Sequence, residues 1–146
     1  MAIDYSQLPL PKGAKGQSYI DARERRKAIA DAEEAEKQKV RLRDRRCRWP
    51  HCANCKRYQP RLECAHLDPK GMGGDPTALR TTSAGMMLLD FLTHQSGPSS
   101  LEQHGKKIEP LTAAGTDGPC SFWQADGRGG WVMVAQESAP FVYVRD

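Results

Sequence analysis

The chain is short of the groups that build a large interior. Hydrophobic residues make up 38% of its 146 positions and aromatics 7%, so the buried core must be small, with much of the length in polar helix, loop and tail. No apolar run approaches the roughly 20 residues that cross a bilayer, which excludes a helical channel or transporter. The start, MAIDYSQLPLPKG, has neither a basic lead nor an apolar stretch of the secretory kind. The expectation is a protein of the reducing cytosol. No segment of 20 residues or more repeats, which removes solenoids and propellers. There is also no Gly or Pro between residues 19 and 46, so nothing there interrupts a helix.

The cysteines are few, unevenly placed and odd in number. Of five, Cys47, Cys52, Cys55 and Cys64 fall within 18 positions. In a reducing compartment such clustering reads as metal ligation rather than as a disulfide framework. The run Cys47-x4-Cys52-x2-Cys55, with Cys64 nine residues on, can converge on one tetrahedral zinc ion after a tight turn, and His51 can replace one thiol. A knuckle of this size draws its folding energy from the metal. Cys120, distant from the cluster, reads as a small buried hydrophobe.

Charge is mild overall, +4 with a pI near 8.9, but it is not evenly spread. Arg41, Arg43, Arg45, Arg46, Arg48, Lys56, Arg57 and Arg61 face a single acid, Asp44, giving +7 over 21 residues. A cluster of this kind is the footprint of phosphate-backbone contact. Lys70 and Arg80 extend the candidate nucleic-acid surface.

The chain divides into an extended lead-in (1–18), a charged helix (19–46) capped by Ser18 or Asp21, a central domain (47–118) and a C-terminal β extension (119–146). Arg61–Leu67 is short enough for a strand, and KGMGGDP after it must be a loop. SAGMMLLDFLTHQ is expected to be a helix, with Met87, Phe91 and His94 near one face. The runs WVMVA and FVYVR predict a terminal hairpin. Trp49, Trp123 and Trp131 are expected in the core.

His66 and His94, 28 residues apart, are then carried by a strand and a helix that a hairpin can bring together over one scissile phosphate. A neutral imidazole at His66 can take a proton from water, while a divalent ion near His94 stabilises developing charge. LECAHLDPKGMGGDP followed by RTTSAGMMLLDFLTH resembles the HNH, or ββα-metal, endonuclease motif of the phage and prophage type, over residues 47 to about 118. The resemblance implies an α+β fold in which a small ββα-metal motif, stapled by the Cys-rich zinc knuckle, sits between a long N-terminal helix and a C-terminal β-hairpin. It implies a metal-dependent DNA endonuclease or nickase, with His66 as general base and His94 as ligand of the catalytic ion. That ion is Mg²⁺ or Mn²⁺, with Zn²⁺ or Ni²⁺ as alternatives. It also implies DNA, and phage packaging or replication proteins, as partners.

Three positions depart from the motif. The central asparagine, nine residues before the helix histidine, falls on Gly85, which removes a side-chain amide that ties the loop to the strand. Ala65 stands where many members carry an Asp or His ligand, leaving Asp68, Glu63 or Asp75 to substitute, of which Asp68 is the choice. Asp90 and Thr93 replace the helix's CxxC, so the structural zinc must be completed from Cys47, Cys52, Cys55 and Cys64 or from His51. The competing expectation is a catalytically degenerate module of the same fold that binds DNA or docks on a phage complex. His104, in SLEQHGKK, is read as a surface group or an additional ligand.

Overall fold

The computed structural model describes residues 15–57, 61–67 and 82–145. The expectations for Asp68, Lys70, Asp75, Arg80 and the glycine-rich loop lie outside those residues, as do residues 1–14 of the lead-in and the side chain of Arg57; residues 15–18, expected to be extended, belong to the first helix.

The architecture is α+β, with a long N-terminal helix and two antiparallel sheets. Helix α1 spans Lys15–Asp44, a little earlier at both ends than the sequence indicates. Its Ala, Glu, Lys and Arg content carries the helix without help from packing, and pairs such as Glu36–Lys39 (2.9 Å) add to it. It stops where Arg45 takes φ 59°, a left-handed residue whose N–H donates to the Arg41 carbonyl at 3.0 Å. Its C-terminal part meets the first sheet and the turn at Ser83–Gly85. Ser83 N donates to Glu36 (2.9 Å), and Val40 is fully buried.

After a short helix α2 (Ala53–Arg57), strand β1 (Leu62–His66) pairs antiparallel with β2 (Met86–Asp90), Cys64 opposite Leu88 and His66 opposite Met86. The helix expected over SAGMMLLDFLTHQ is therefore largely a strand. Only Phe91–His94, α3, is helical, preceded by a 3₁₀ turn at Ser83–Gly85. A run such as MMLLD satisfies either period, and what decides is burial on both sides. Met86 and Leu88 pack with Val40 beneath α1, whereas Met87 and Leu89 join Trp49, Ala65, Ile108 and Phe122 on the opposite face. A strand with two covered faces is apolar throughout. Trp49 meets Phe122 edge-on at 5.6 Å.

The second sheet has the order β3–β4–β5: Lys106–Pro110, Cys120–Ala125 and Trp131–Gln136. WVMVA is β5, but its partner is β4. FVYVR forms no strand and instead lays its aromatics on guanidinium groups, Phe141 4.8 Å from Arg48 and Tyr143 6.0 Å from Arg45. Because β3 pairs with β4, the sheet crosses the boundary drawn at residue 118.

Gly115, at φ +64°, opens a second 3₁₀ turn that lies against Ala84. A Cβ there would fall well inside contact distance of the Ala84 carbonyl oxygen, which is backbone and cannot swing away. Gly115→Ala is expected to lose roughly 1–3 kcal/mol from this overpacking and from the left-handed backbone. Equilibrium urea unfolding checks this, and a midpoint equal to wild type would refute the fit.

Candidate metal centre and adjoining cleft

Three thiols and one carboxylate meet where β2 runs into α3. Cys47, Cys52, Cys55 and Asp90 each offer a donor atom, all within 4.8 Å of one another. Asp90 is 2% exposed. Its Oδ2 accepts from Cys52 Sγ at 3.0 Å, Cys47 Sγ at 3.3 Å and Cys55 Sγ at 3.9 Å, and from Thr93 Oγ1 at 2.5 Å. Asp90 also caps α3 through Thr93 N. Donors about 2.0–2.3 Å from a tetrahedral ion lie about 3.3–3.8 Å apart, so this cradle fits a metal ion. Burial raises two of the free thiols: Cys47 rises well above the usual range, and Cys55, also hydrogen-bonded with Cys52, is pushed up to about 12. For Asp90 burial acts upward, but hydrogen bonds from Cys52, Thr93 and Cys47 outweigh it and hold the carboxyl below its ordinary value.

The fourth ligand differs from the expectation. Cys64 lies on the α1 side of β1, where its Sγ faces the Lys37 carbonyl at 3.7 Å and packs with Val40, Met86 and Leu88. Alternation along the strand sends it away from Ala65 and the thiol cluster. Asp90 takes the place instead. Its sequence signal is its position, on the spot where the motif carries a cysteine. His51, exposed and at φ 51°, is outside the cluster.

Compared with protein-family models, with curated proteins and with solved structures, the chain matches none.

His66 and His104 line a separate cleft of about 200 Å³ together with Glu102, Lys106, Lys107 and Trp131 among others; His94 is not among its lining residues and adjoins it through Glu102. His66 closes β1, and the backbone beyond it is clamped by Leu67 N donating to the Gly85 carbonyl at 2.9 Å. Ala65 is wholly buried in the core and cannot serve as a ligand. His94 lies 2.8 Å from Glu63 Oε2 through Nδ1 and 3.2 Å from Glu102 Oε1 through Nε2. Glu63 is further held by Gln95 Nε2 at 2.6 Å. Glu102, missed in the sequence, is 47% exposed and free to reorient, whereas Glu63 is largely buried. Nothing in SLEQHGKK distinguishes Glu102 from a surface acid until the turn folds back, with Glu102 N donating to the His94 carbonyl at 2.9 Å.

The basic cluster separates into two groups. Arg43 and Arg48 point inward. Arg43 donates to Asp44, the Ser83 and Met86 carbonyls, Thr116 and Asp117, while Arg48 is buried against Thr116 O (2.7 Å) and Glu137 (2.8 Å). Neither is placed to meet a phosphate. Arg45, Arg46 and Lys56 line an open groove of about 790 Å³ beside the knuckle. Arg41, paired with Glu34 at 2.6 Å, and Arg61, 5.6 Å from the Phe91 ring, are exposed elsewhere. No helix among the described residues is long and apolar enough to cross a membrane.

Proposed function

We propose that the protein is a metal-dependent DNA endonuclease or nickase of the HNH type, with zinc in the Cys47–Cys52–Cys55–Asp90 centre. The observation that carries this reading is the cleft joining His66 to Glu102, His104, Lys106 and Lys107. Zinc is favoured by three thiolates with one carboxylate at tetrahedral spacing. The catalytic ion has a matching donor pair, His94 Nε2 and Glu102, with Glu63 on Nδ1 fixing the ring as second-layer carboxylates do. Mg²⁺ or Mn²⁺ bound there would neutralise charge on the phosphate and the departing oxygen.

The protein's own groups then have separate tasks. Water attacks phosphorus as the imidazole of His66 accepts its proton, and the bond from phosphorus to the leaving oxygen breaks. Lys107 holds the phosphate, while Lys106 Nζ, on the other face of the strand, is engaged by the Ser99 carbonyl and the Trp49 ring. The backbone bond from Leu67 N to Gly85 O supplies a tether where the side-chain amide is missing. The exposed Arg45, Arg46 and Lys56 bind flanking backbone, and a packaging or replication complex remains a partner of the same reading.

A second reading, a DNA-binding module without catalysis, is favoured by Gly85, by the buried Ala65 and by a His94 whose two nitrogens both face carboxylates. Nicking of supercoiled plasmid in EDTA, Mg²⁺ and Mn²⁺ separates them. Wild type is expected to nick only with added metal, His66→Ala to lose on the order of 10²–10⁴ in rate, and Glu102→Gln to need more metal. Absence of nicking by wild type in either metal, with DNA still bound, would replace the enzyme by the module.

A further inference from the structure

The cleft that holds His66 continues onto one face of the β3–β4–β5 sheet. Lys107 stands opposite Trp123 across β3 and β4, Trp123 opposite Met133, and Ala125 opposite Trp131. Alternation along the strands therefore puts Lys107, Trp123, Trp131 and Met133 on the same face. Lys107 Nζ sits between the indoles, 5.1 Å from the Trp123 centroid and 4.9 Å from that of Trp131. Trp123 is fixed by its Nε1–H, which donates to Ser121 Oγ at 2.9 Å. Trp131 is 38% exposed and Met133 47%, so an apolar, aromatic surface is open to solvent directly beside the cleft.

We infer that this face is a stacking platform for unpaired nucleotides, so that the cleft takes a single-stranded segment rather than an intact duplex. The inference rests on the hydrolytic reading of the same cleft and specifies its substrate. Bases in a duplex are stacked on their neighbours and present only edges. An exposed indole offers a flat partner that any unpaired base can use, and an interleaved lysine meets the adjoining phosphate. The lysine on the route from platform to cleft is Lys107, near His66 and His104, with Glu102 in the cleft and Glu109, two residues along β3, pairing with Lys107 at 3.1 Å. A second copy of the chain pairing along β5 would use the same apolar surface without needing the lysines.

Fluorescence anisotropy on the zinc-loaded protein without added Mg²⁺ or Mn²⁺, with labelled dT16 and a 16-base-pair blunt duplex as probes, tests the platform independently of cleavage. Wild type is expected to bind dT16 at least tenfold more tightly than the duplex. Trp131→Ala should lose on the order of tenfold or more for dT16, Trp131→Tyr should regain most of it, and duplex affinity should change little. Trp131 is exposed, so the variant is expected to keep the wild-type circular dichroism spectrum. Equal affinity of Trp131→Ala and wild type for dT16 would overturn the platform, and so would an equal loss on both probes. Loss of a concentration-dependent dimer on sedimentation, with dT16 binding intact, would transfer the face to self-association. If wild type nicks plasmid but Trp131→Ala binds dT16 normally, the platform fails and the hydrolytic reading stands. If dT16 binding depends on Trp131 and wild type never nicks, the platform belongs to a non-catalytic binder.

Discussion

Removing the structural ion is expected to lower the melting temperature by at least about 10 °C and to unfold the segment around Cys47–Arg57. The knuckle has little else to hold it: α2 is five residues long, far below the length at which a helix persists alone. Structural zinc contributes about 10–16 kcal/mol in small isolated modules. The effect here is smaller because Cys47, Cys52 and Trp49 also pack against Met87, Leu89 and Phe122. Calorimetry with and without a strong chelator measures it, and an unchanged transition would refute a structural metal.

The pH dependence of that site has a definite sign. Burial raises the metal-free Cys47 and Cys55 thiols, Cys55 to about 12, so near neutrality both are protonated and must lose a proton to bind. Affinity should therefore fall as pH falls, by up to roughly tenfold per proton released, approaching 10³ between pH 7 and 6 if all three thiols bind as thiolates. Competition with a chromophoric chelator at pH 6, 7 and 8 gives the slope. A slope below one proton would show that the cysteines are not the ligands. Asp90→Cys should bind zinc more tightly and Asp90→Ala more weakly, since that position supplies the fourth donor.

Much of this molecule can be read from local chemistry, and its failures have a common cause. The uninterrupted run of helix formers from 19 to 46 gives α1, and the spacing of Cys47, Cys52 and Cys55 gives three of the four metal donors. What local pattern does not contain is which face each residue meets. MMLLD looks helical until α1 and the second sheet are seen to cover it on opposite sides. Cys64 is near the cluster in sequence, yet strand alternation turns it toward α1. Glu102 becomes a site residue only because the turn after α3 returns it to His94. Trp131, expected in the core, lies on an open sheet face, 38% exposed, with Lys107 Nζ against its ring. Arg43 and Arg48 belong to a charge count until long-range pairing with Thr116, Asp117 and Glu137 draws them inside.

That inward pairing makes Asp44→Ala the point substitution with the largest expected effect on folding. Asp44 is completely buried at the end of α1. Its Oδ1 accepts from Arg43 Nε at 2.6 Å and lies 3.4 Å from Arg48 Nη1, and its Oδ2 accepts from Arg43 Nη2 at 3.0 Å and from Leu88 N at 2.9 Å. One carboxylate thus joins the helix to the middle of β2 and neutralises two guanidiniums that have little access to water. Deleting it leaves Arg43 with only Asp117 and Arg48 with only Glu137 as counter-charge, and the buried Leu88 N–H without its acceptor, a change that costs about 3–5 kcal/mol in comparable networks. Arg48→Met should cost less, because Asp44 keeps Arg43 and Leu88 N and a methionine can fill the apolar part of the space. The double variant should be less destabilised than the sum of the two, since the second change removes a charge that the first had stranded. Urea unfolding of the three variants gives the coupling, and a loss below about 1 kcal/mol for Asp44→Ala would refute the network. The same assignment divides the arginines in binding. Arg48→Met should leave the salt dependence of DNA affinity unchanged, whereas Arg46→Ala, which removes a cation from the open groove, should reduce its slope by about one.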